Sequence, residues 1–314
     1  MRQVWTCSGL RWSGDGPVLV WGGGRGSPLA RGKRVAFGVV DGGVRTCVGA
    51  RGNPCPVRAA VSRRGTGARC EECARLDRAH SVAADTLADD PRPYHVYLAW
   101  FGPGLVKVGI TRVERGSARL LEQGAVTFSW LGQGPLMAAR RAEELLRAAV
   151  KVPDRIPYAA KRVVRATLPG PEERVAEIRE LHALVGRLDG WPESLSRAPF
   201  EPVDHMDVFG LAGLPPAQGV VSELVAGGAI SGELCGAAGP DLHLVTGRGV
   251  VVLDTRLMRG WDLTGVEGRG GHREEEGNGE GDAGAGESRD GGFGITFPVR
   301  ELRVADVGVQ DGLF

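Results

Sequence analysis

Six cysteines lie in the chain, and four of them are close enough in sequence to share one metal ion. Their spacing is C-x7-C-x14-C-x2-C, and the four members are Cys47, Cys55, Cys70 and Cys73. Two thiolates of a CEEC motif can reach the same tetrahedral zinc ion, and the two upstream cysteines would complete its ligands. Pro54 and Pro56 flank Cys55 and favour a rigid turn. The spacing therefore predicts a structural zinc site.

Two other interpretations of these cysteines stay open at the level of sequence. A CxxC pair can serve redox chemistry, although no thioredoxin-like βαβ pattern surrounds this one. The thiols can also be unconnected buried side chains, as we expect for Cys7 and Cys235 outside the cluster. Arginines crowd the same segment and favour contact with phosphate. Arginine is abundant throughout the chain, however, so composition explains this excess equally well.

A second group of reactive side chains follows the cysteines. Tyr97, Lys107, Arg119 and Glu143 supply a phenol, an amine, a guanidinium and a carboxylate. Taken singly, each residue has a simpler interpretation: a core tyrosine, a solvated strand lysine and two surface helix residues. What favours a site is that the four stand in the order of a known protein family.

The elements that must position these residues are predicted from the apolar pattern. HVYLAW alternates as a strand, FGPG is typical of a hairpin turn, and LVKVGIT is the returning strand. Residues 115–123 predict a short helix, AVTFSWLG a third strand, 136–150 a strong helix and 171–188 another helix. The helix at 136–150 has apolar residues at the spacing of one buried face.

The order of strand, turn, strand, helix, strand and helix at 94–151 resembles the GIY-YIG nuclease superfamily. HVY, which ends at Tyr97, stands in the place of GIY, and KVGIT, which begins at Lys107, stands in the place of YIGxT. Arg119 and Glu143 fall where that family has its arginine and its metal-binding glutamate. The phrase HVYLA…GLVKVGITR…R…EQGA also resembles an uncharacterised bacterial family that joins such a core to an upstream cysteine cluster and flanking β segments.

This resemblance implies a catalytic site and its cofactors. Glu143 would hold Mg²⁺ or Mn²⁺, Arg119 would clamp the phosphate, and Tyr97 would be the proton-handling phenol. Lys107 replaces the second tyrosine, and it can do so only where burial or nearby arginines depress its pKa. Glu144 is the alternative to Glu143 as metal ligand, and His95 lies on the same strand face as Tyr97.

The favoured hypothesis is a zinc-containing, metal-dependent endonuclease that acts on DNA or RNA through a GIY-YIG-like site. One alternative is a nucleic-acid-binding protein with the same fold and no cleavage activity. Another is a scaffold protein whose GIY-YIG-like core has drifted to an unrelated role. The proposed site would require Tyr97, Lys107, Arg119 and Glu143 to converge on one concave surface.

The fold class predicted is α+β: a GIY-YIG-like three-stranded antiparallel sheet with flanking helices, a four-cysteine zinc knuckle, and a β domain built from both chain ends. The predicted segments are 1–46 (β), 47–93 (cysteine cluster and connector), 94–190 (core), 191–218 (Pro-rich linker) and 219–314 (β). Within the last segment, 266–292 is rich in Gly and Glu and predicts a disordered loop. In the first segment, VLVWG, RVAFGVV and VRTCV predict strands.

The overall sequence lacks the signals of a membrane-spanning or secreted protein. The formal net charge is only +1, so whole-chain charge does not indicate a nucleic-acid binder. No run of about 18 apolar residues occurs, and the N-terminus lacks the apolar stretch of a signal peptide. We therefore expect a cytoplasmic protein with no membrane partner, in which cysteines are thiols or metal ligands and not disulfides.

Overall fold

The computed structural model describes residues 3–79, 90–266 and 294–302. The fold is mixed α+β, with mostly strands and a few helices, as the apolar pattern predicted. The strands are β1 Val4–Ser13, β2 Gly16–Trp21, β3 Gly26–Pro28, β4 Arg34–Val39, β5 Pro93–Trp100, β6 Val106–Arg112, β7 Thr127–Pro135, β8 Ser196–Arg197, β9 Val203–Asp204, β10 Gly219–Val221, β11 Ala229–Ala238, β12 Asp241–Thr246, β13 Gly249–Asp254, β14 Asp262–Gly265 and β15 Val299–Glu301. The helices are α1 Glu71–Ala79, α2 Ala118–Gln123, α3 Leu136–Val150, α4 Tyr158–Val164, α5 Pro171–Gly186 and α6 Met206–Phe209.

The larger sheet has ten strands and takes them from both ends of the chain. Its order is β15-β10-β13-β12-β11-β4-β14-β1-β2-β3. Strand β4 lies between β11 and β14, antiparallel to both, with Gly38 opposite Ala229 and Val39 opposite Leu263. The N-terminal strands are thus held in place by pairing with residues about two hundred positions away in sequence.

The smaller sheet has the order β6-β5-β7-β8, and β9 also pairs with β7. Strand β5 is central and antiparallel to both β6 and β7. Its two faces are both buried, because Val96, Leu98 and Trp100 pack into the main core while Tyr97 and Ala99 pack into a second cluster. Strand β5 therefore holds Tyr97 in the second cluster, on one face of the sheet, while its apolar residues on the other face stay buried in the main core.

Helix α3 spans the residues that the apolar spacing predicted. Leu136, Ala139, Ala142 and Leu146 are buried, and they recur every three or four positions along one face. The helix packs on the smaller sheet and ends at Val150, and the next residue, Lys151, has a left-handed backbone with φ of 52°. The chain then runs along the edge of β6, where the Val108 N–H donates to the carbonyl of Pro153 at 3.1 Å.

Several elements differ from the expectations from sequence. Two short strands of the Pro-rich segment, β8 and β9, extend the smaller sheet beyond three strands. The expected strand at VRTCV is absent from the described N-terminal region. Only an isolated bridge between Thr46 and Ala60 forms there, because the N–H groups of Thr46, Cys47 and Val48 donate to carbonyls of three different segments. All but the first residue of the 266–292 segment lies outside the described residues.

Candidate functional site

The four clustered cysteines come together in space. The Sγ atoms of Cys47, Cys55, Cys70 and Cys73 all lie within 4.8 Å of one another, and three of the four residues are buried. Tetrahedral zinc with sulfur ligands at about 2.3 Å needs sulfur–sulfur separations of about 3.8 Å. All four are free thiols. The cysteines are therefore positioned to hold one metal ion, and this part of the prediction is confirmed.

The backbone around Cys47 is shaped to serve a thiolate. The N–H groups of Gly49 and Cys70 donate to its Sγ at 3.3 and 3.2 Å. Gly49 has φ of 78°, and a Cβ there would collide with the Asn53 carbonyl, so only glycine fits this tight turn. Cys73 lies in the first turn of α1, next to the positive end of the helix.

Two of the four thiols, Cys55 and Cys73, have pKa values shifted in opposite directions. The backbone N–H of Ala59 is the main cause that lowers the pKa of Cys55 to about 7. Burial raises the pKa of Cys73 to about 12, and hydrogen bonds with the neighbouring thiols raise it further. Four sulfurs this close together cannot all carry negative charge unless a cation shares their site, which agrees with a ligand set for a divalent metal.

A single buried arginine fastens this cysteine knuckle (residues 45–79) to the larger sheet. Arg45 is fully buried and donates to the carbonyls of Ser62 at 2.8 Å and Gly65 at 3.0 Å within the knuckle. It also donates to the carbonyls of Arg256 at 3.0 Å and Arg259 at 2.9 Å in the segment between β13 and β14. Burial lowers the pKa of Arg45 to about 10. The knuckle therefore has a defined place on the larger sheet.

Tyr97 and Lys107 lie on adjacent strands of the smaller sheet. Tyr97 is 1% exposed, and its hydroxyl accepts a hydrogen bond from the Gln123 amide at 2.9 Å. Gly109 lies opposite, and a Cβ there would collide with the Tyr97 hydroxyl. Lys107 is 8% exposed; its Nζ donates to the Asp154 carbonyl at 3.0 Å and lies 5.8 Å from the centre of the Tyr97 ring.

Arg119 and Glu143 lie on the two helices that flank these strands. Arg119 on α2 is half exposed, and its Nη1 lies 3.9 Å from a carboxylate oxygen of Glu122. Glu143 on α3 is half-buried, whereas the alternative ligand Glu144 is exposed. The charges of both Arg119 and Glu143 act on the pKa of Tyr97 and on that of Lys107. The structure therefore brings all four residues into one electrostatic neighbourhood.

Burial controls proton affinity in this group. It is the largest cause that lowers the pKa of Lys107 to about 8, and the charge of Arg119 lowers it further. Burial also raises the pKa of Tyr97 and that of Glu143, and the positive charge of Lys107 partly opposes the shift at Glu143. A lysine with this pKa is partly neutral near pH 8 and can accept a proton.

Two further residues near this group were not found from sequence. Gln123 orients the Tyr97 hydroxyl, and its own carbonyl accepts a hydrogen bond from the buried Lys161 at 3.0 Å. Asp154 contributes its backbone carbonyl to Lys107, and its negative charge raises the pKa of Glu143. Gln123 falls within the EQGA phrase, but nothing in the sequence assigns it to the Tyr97 hydroxyl, and Asp154 belongs to no motif, so only the tertiary structure identifies their contacts. His95 stacks on Trp130 at 4.2 Å, and burial lowers its pKa.

A buried cluster of charges connects the two sheets. Asp241 on β12 accepts from Arg162 at 3.0 and 2.6 Å and from Arg165, at the end of α4, at 2.5 Å. Asp254 on β13 also pairs with Arg162, at 2.7 Å. Lys161 lies on the same helix as Arg162. Helix α4 therefore fixes the Tyr97 neighbourhood relative to the larger sheet.

The fold and this site define a mixed α+β protein with two sheets and a four-cysteine cluster able to hold a metal ion. The family model described as "Protein of unknown function (DUF2797)" matches residues 32–263, and the chain belongs to that family. No curated protein and no solved structure gives a significant match to the chain. Among the helices that the structure describes, none combines the length and the apolar character needed to cross a membrane.

Proposed function

We propose that the protein is a metal-dependent phosphodiesterase that cleaves DNA or RNA through a GIY-YIG-like site. The observation that carries the proposal is the convergence of Tyr97, Lys107, Arg119 and Glu143, with the pKa of Lys107 lowered to about 8. These are the residues at which the sequence resembles the superfamily. A perturbed lysine beside an arginine and a half-buried carboxylate is a typical signature of a catalytic site.

The order of elements supports the same proposal. Strands β5 and β6 form an antiparallel hairpin, α2 follows with Arg119, β7 pairs with β5, and α3 follows with Glu143. This is the order of the GIY-YIG-like core that the sequence resembles. The added strands β8 and β9 lie on the far side of β7 from β5, away from Lys107 on β6.

We assign each residue a role from its environment. Lys107 in its neutral form takes the proton from the attacking water, because its pKa matches the working range of a general base. Arg119, half exposed, binds the phosphate and stabilises its developing negative charge. Tyr97 has no exposed surface to offer substrate in this position, so we give it a positioning role beside Lys107.

Two metals fit the donors present. Four thiolates suit zinc, and because they fill its four positions this site has a structural role. Glu143, with the charge of Asp154 beside it, supplies the carboxylate oxygens that Mg²⁺ or Mn²⁺ prefers. Such an ion, when bound, would offset charge on the phosphate and on the leaving oxygen.

The proposal is tested by nicking of supercoiled plasmid and of a structured RNA in Mg²⁺ or Mn²⁺. Glu143→Gln, Arg119→Ala and Lys107→Met should each lower the rate by about 10²-fold or more. The matched controls are Glu144→Gln and Arg141→Ala, which remove exposed charges from neighbouring positions on α3 and should cut like the wild type. The wild-type rate should rise with pH up to about 8 as Lys107 loses its proton.

The burial of Tyr97 favours a second candidate, a zinc-containing nucleic-acid-binding protein that does not cleave. In that case the wild type binds DNA or RNA, more weakly as salt increases, yet leaves the strands intact with either metal. A protein that neither cuts nor binds would have the GIY-YIG-like core only as a scaffold.

A further inference from the structure

The cysteine knuckle carries arginines that its own acids do not neutralise. Between Cys47 and Cys70 the chain contains five arginines and no Asp or Glu. Two of the five have acidic partners elsewhere: Arg64 pairs with Glu223 at 3.4 Å, and Arg69 pairs with Asp77 at 3.1 Å. The remaining three, Arg51, Arg58 and Arg63, are exposed and have no ion pair within the described part of the chain.

Arg51 and Arg58 also have an unusual backbone conformation. Their φ angles are 54° and 43°, in the left-handed region that favours glycine. Among the described residues only one other non-glycine has positive φ, and it too is a cation, Lys151. An L-residue in this region costs about 1 kcal/mol or more relative to glycine. Keeping arginine there indicates that its side chain has a use that offsets the strain.

The two arginines are at the tips of turns on either side of Cys55. Ala50 and Asn53 exchange backbone hydrogen bonds at 3.0 and 2.9 Å, which places Arg51 and Gly52 at the tip of a two-residue hairpin. Arg58 closes the next turn, since its N–H donates to the Cys55 carbonyl at 3.2 Å. Both arginines are exposed, and their turns adjoin the four-cysteine cluster, of which Cys55 is a member.

We propose that Arg51 and Arg58 form a binding surface for the sugar–phosphate backbone of a nucleic acid, separate from the cleavage site. The proposal rests on the proposed function for the nature of the polymer. A guanidinium makes two parallel hydrogen bonds to a phosphate, and neither Arg51 nor Arg58 has an acidic partner among the described residues from which a phosphate would have to displace it. Contacts of this kind position a nucleic-acid strand without recognising its base sequence. They suit a second binding surface outside the Tyr97 neighbourhood.

A competing explanation is that the arginines balance the charge of the cluster, because four thiolates with one divalent ion carry a net charge of −2. The double substitution Arg51→Gly with Arg58→Gly separates the two explanations. Glycine relieves the left-handed strain, so the melting temperature should stay within a few degrees of the wild type. Metal content should also stay unchanged. The matched control is Arg11→Ala with Arg187→Ala, which removes two exposed charges far from the knuckle in sequence.

The measurement is fluorescence anisotropy with a labelled 30-base-pair DNA duplex and an RNA hairpin, over a series of KCl concentrations without added divalent ions. The glycine double variant should bind at least about tenfold more weakly, and its slope of log Kd against log salt should fall by about two. The control variant should change affinity by less than about threefold.

Four results would overturn the proposal: no binding by the wild type, wild-type affinity in the glycine variant, equal loss in the control, or loss of metal from the glycine variant. The outcome is separable from that of the cleavage proposal. Glu143→Gln should bind like the wild type while cutting fails, because that residue does not contribute to the arginine surface. If Glu143→Gln still cuts but the glycine variant binds weakly, only the cleavage proposal is lost.

Discussion

The strongest test of how the two sheets are joined is the substitution Asp241→Asn. Asp241 is fully buried and accepts hydrogen bonds from both Arg162 and Arg165. Asparagine keeps the shape and removes the charge. Arg162 retains Asp254, but Arg165 loses its only acidic partner in the described chain.

The magnitude follows from the loss of a buried ion pair. Removing one partner from such a pair costs about 3–5 kcal/mol, because the other charge stays buried without compensation. A protein of this size loses roughly 2–4 °C of melting temperature per kcal/mol, so Asp241→Asn should lower it by about 10 °C. Asp207→Asn is the control, because it removes a carboxylate that is exposed on α6 and should shift the melting temperature by about 1–2 °C.

Differential scanning calorimetry of a double-mutant cycle completes the test. Arg165→Met with Asp241→Asn removes both charges, so no unpaired ion remains buried, and about half of the lost stability should return. A decrease in melting temperature smaller than about 3 °C for Asp241→Asn would refute the reasoning. Strictly additive effects of the two substitutions would also refute it, because the argument requires the two groups to be coupled.

Three further predictions concern the cysteine cluster, the Tyr97 neighbourhood and acid sensitivity. Cys73→Ser should abolish binding of the metal ion, measured by mass spectrometry of native protein, while Cys235→Ser, outside the cluster, should retain it. Gly109→Ala should displace Tyr97, lower the free energy of unfolding by about 1–3 kcal/mol in urea titrations, and reduce any cleavage activity. Because the pKa of His243 is lowered to about 3 from an unfolded value of about 6.5, its unfolded form binds the proton first. Stability should therefore be fully present above about pH 6.5 and fall towards pH 3, and melting curves of His243→Leu should show a shallower fall.

Local patterns in the sequence predicted the parts of the smaller sheet that depend on neighbouring residues. The apolar spacing of Leu136, Ala139, Ala142 and Leu146 predicted α3 with the bounds that the structure has. Alternation on either side of FGPG predicted the β5–β6 hairpin. Strand β1 was missed because most of its residues are exposed or half-exposed and its register shifts between Cys7 and Gly9, so no clear alternation appears.

The candidate site was predicted only in part, because the sequence gives the type of each residue but not the contacts that the folded chain makes around it. The cysteine spacing identified the four sulfurs that meet, since close positions in sequence constrain them. It did not identify Arg45, which fastens the knuckle through carbonyls that lie up to 214 positions away. Gln123 lies in the EQGA phrase and Asp154 in no motif, but the contacts of both exist only once β5, β6 and α2 pack together.

The sequence by itself determined which residues are available for chemistry: four cysteines, the five arginines between Cys47 and Cys70, and a tyrosine, a lysine, an arginine and a glutamate along one segment. Only the tertiary structure decided their states. The pKa of Lys107 depends on its burial and on the charge of Arg119. The residues adjacent to Lys107 in sequence predict neither its burial nor its distance from Arg119. The pairing of β4 with β11 and the buried ion pairs of Asp241 were likewise decided over long distances in the chain. The physical reason is that desolvation and strand register depend on every element packed nearby, whereas spacing reports only on near neighbours.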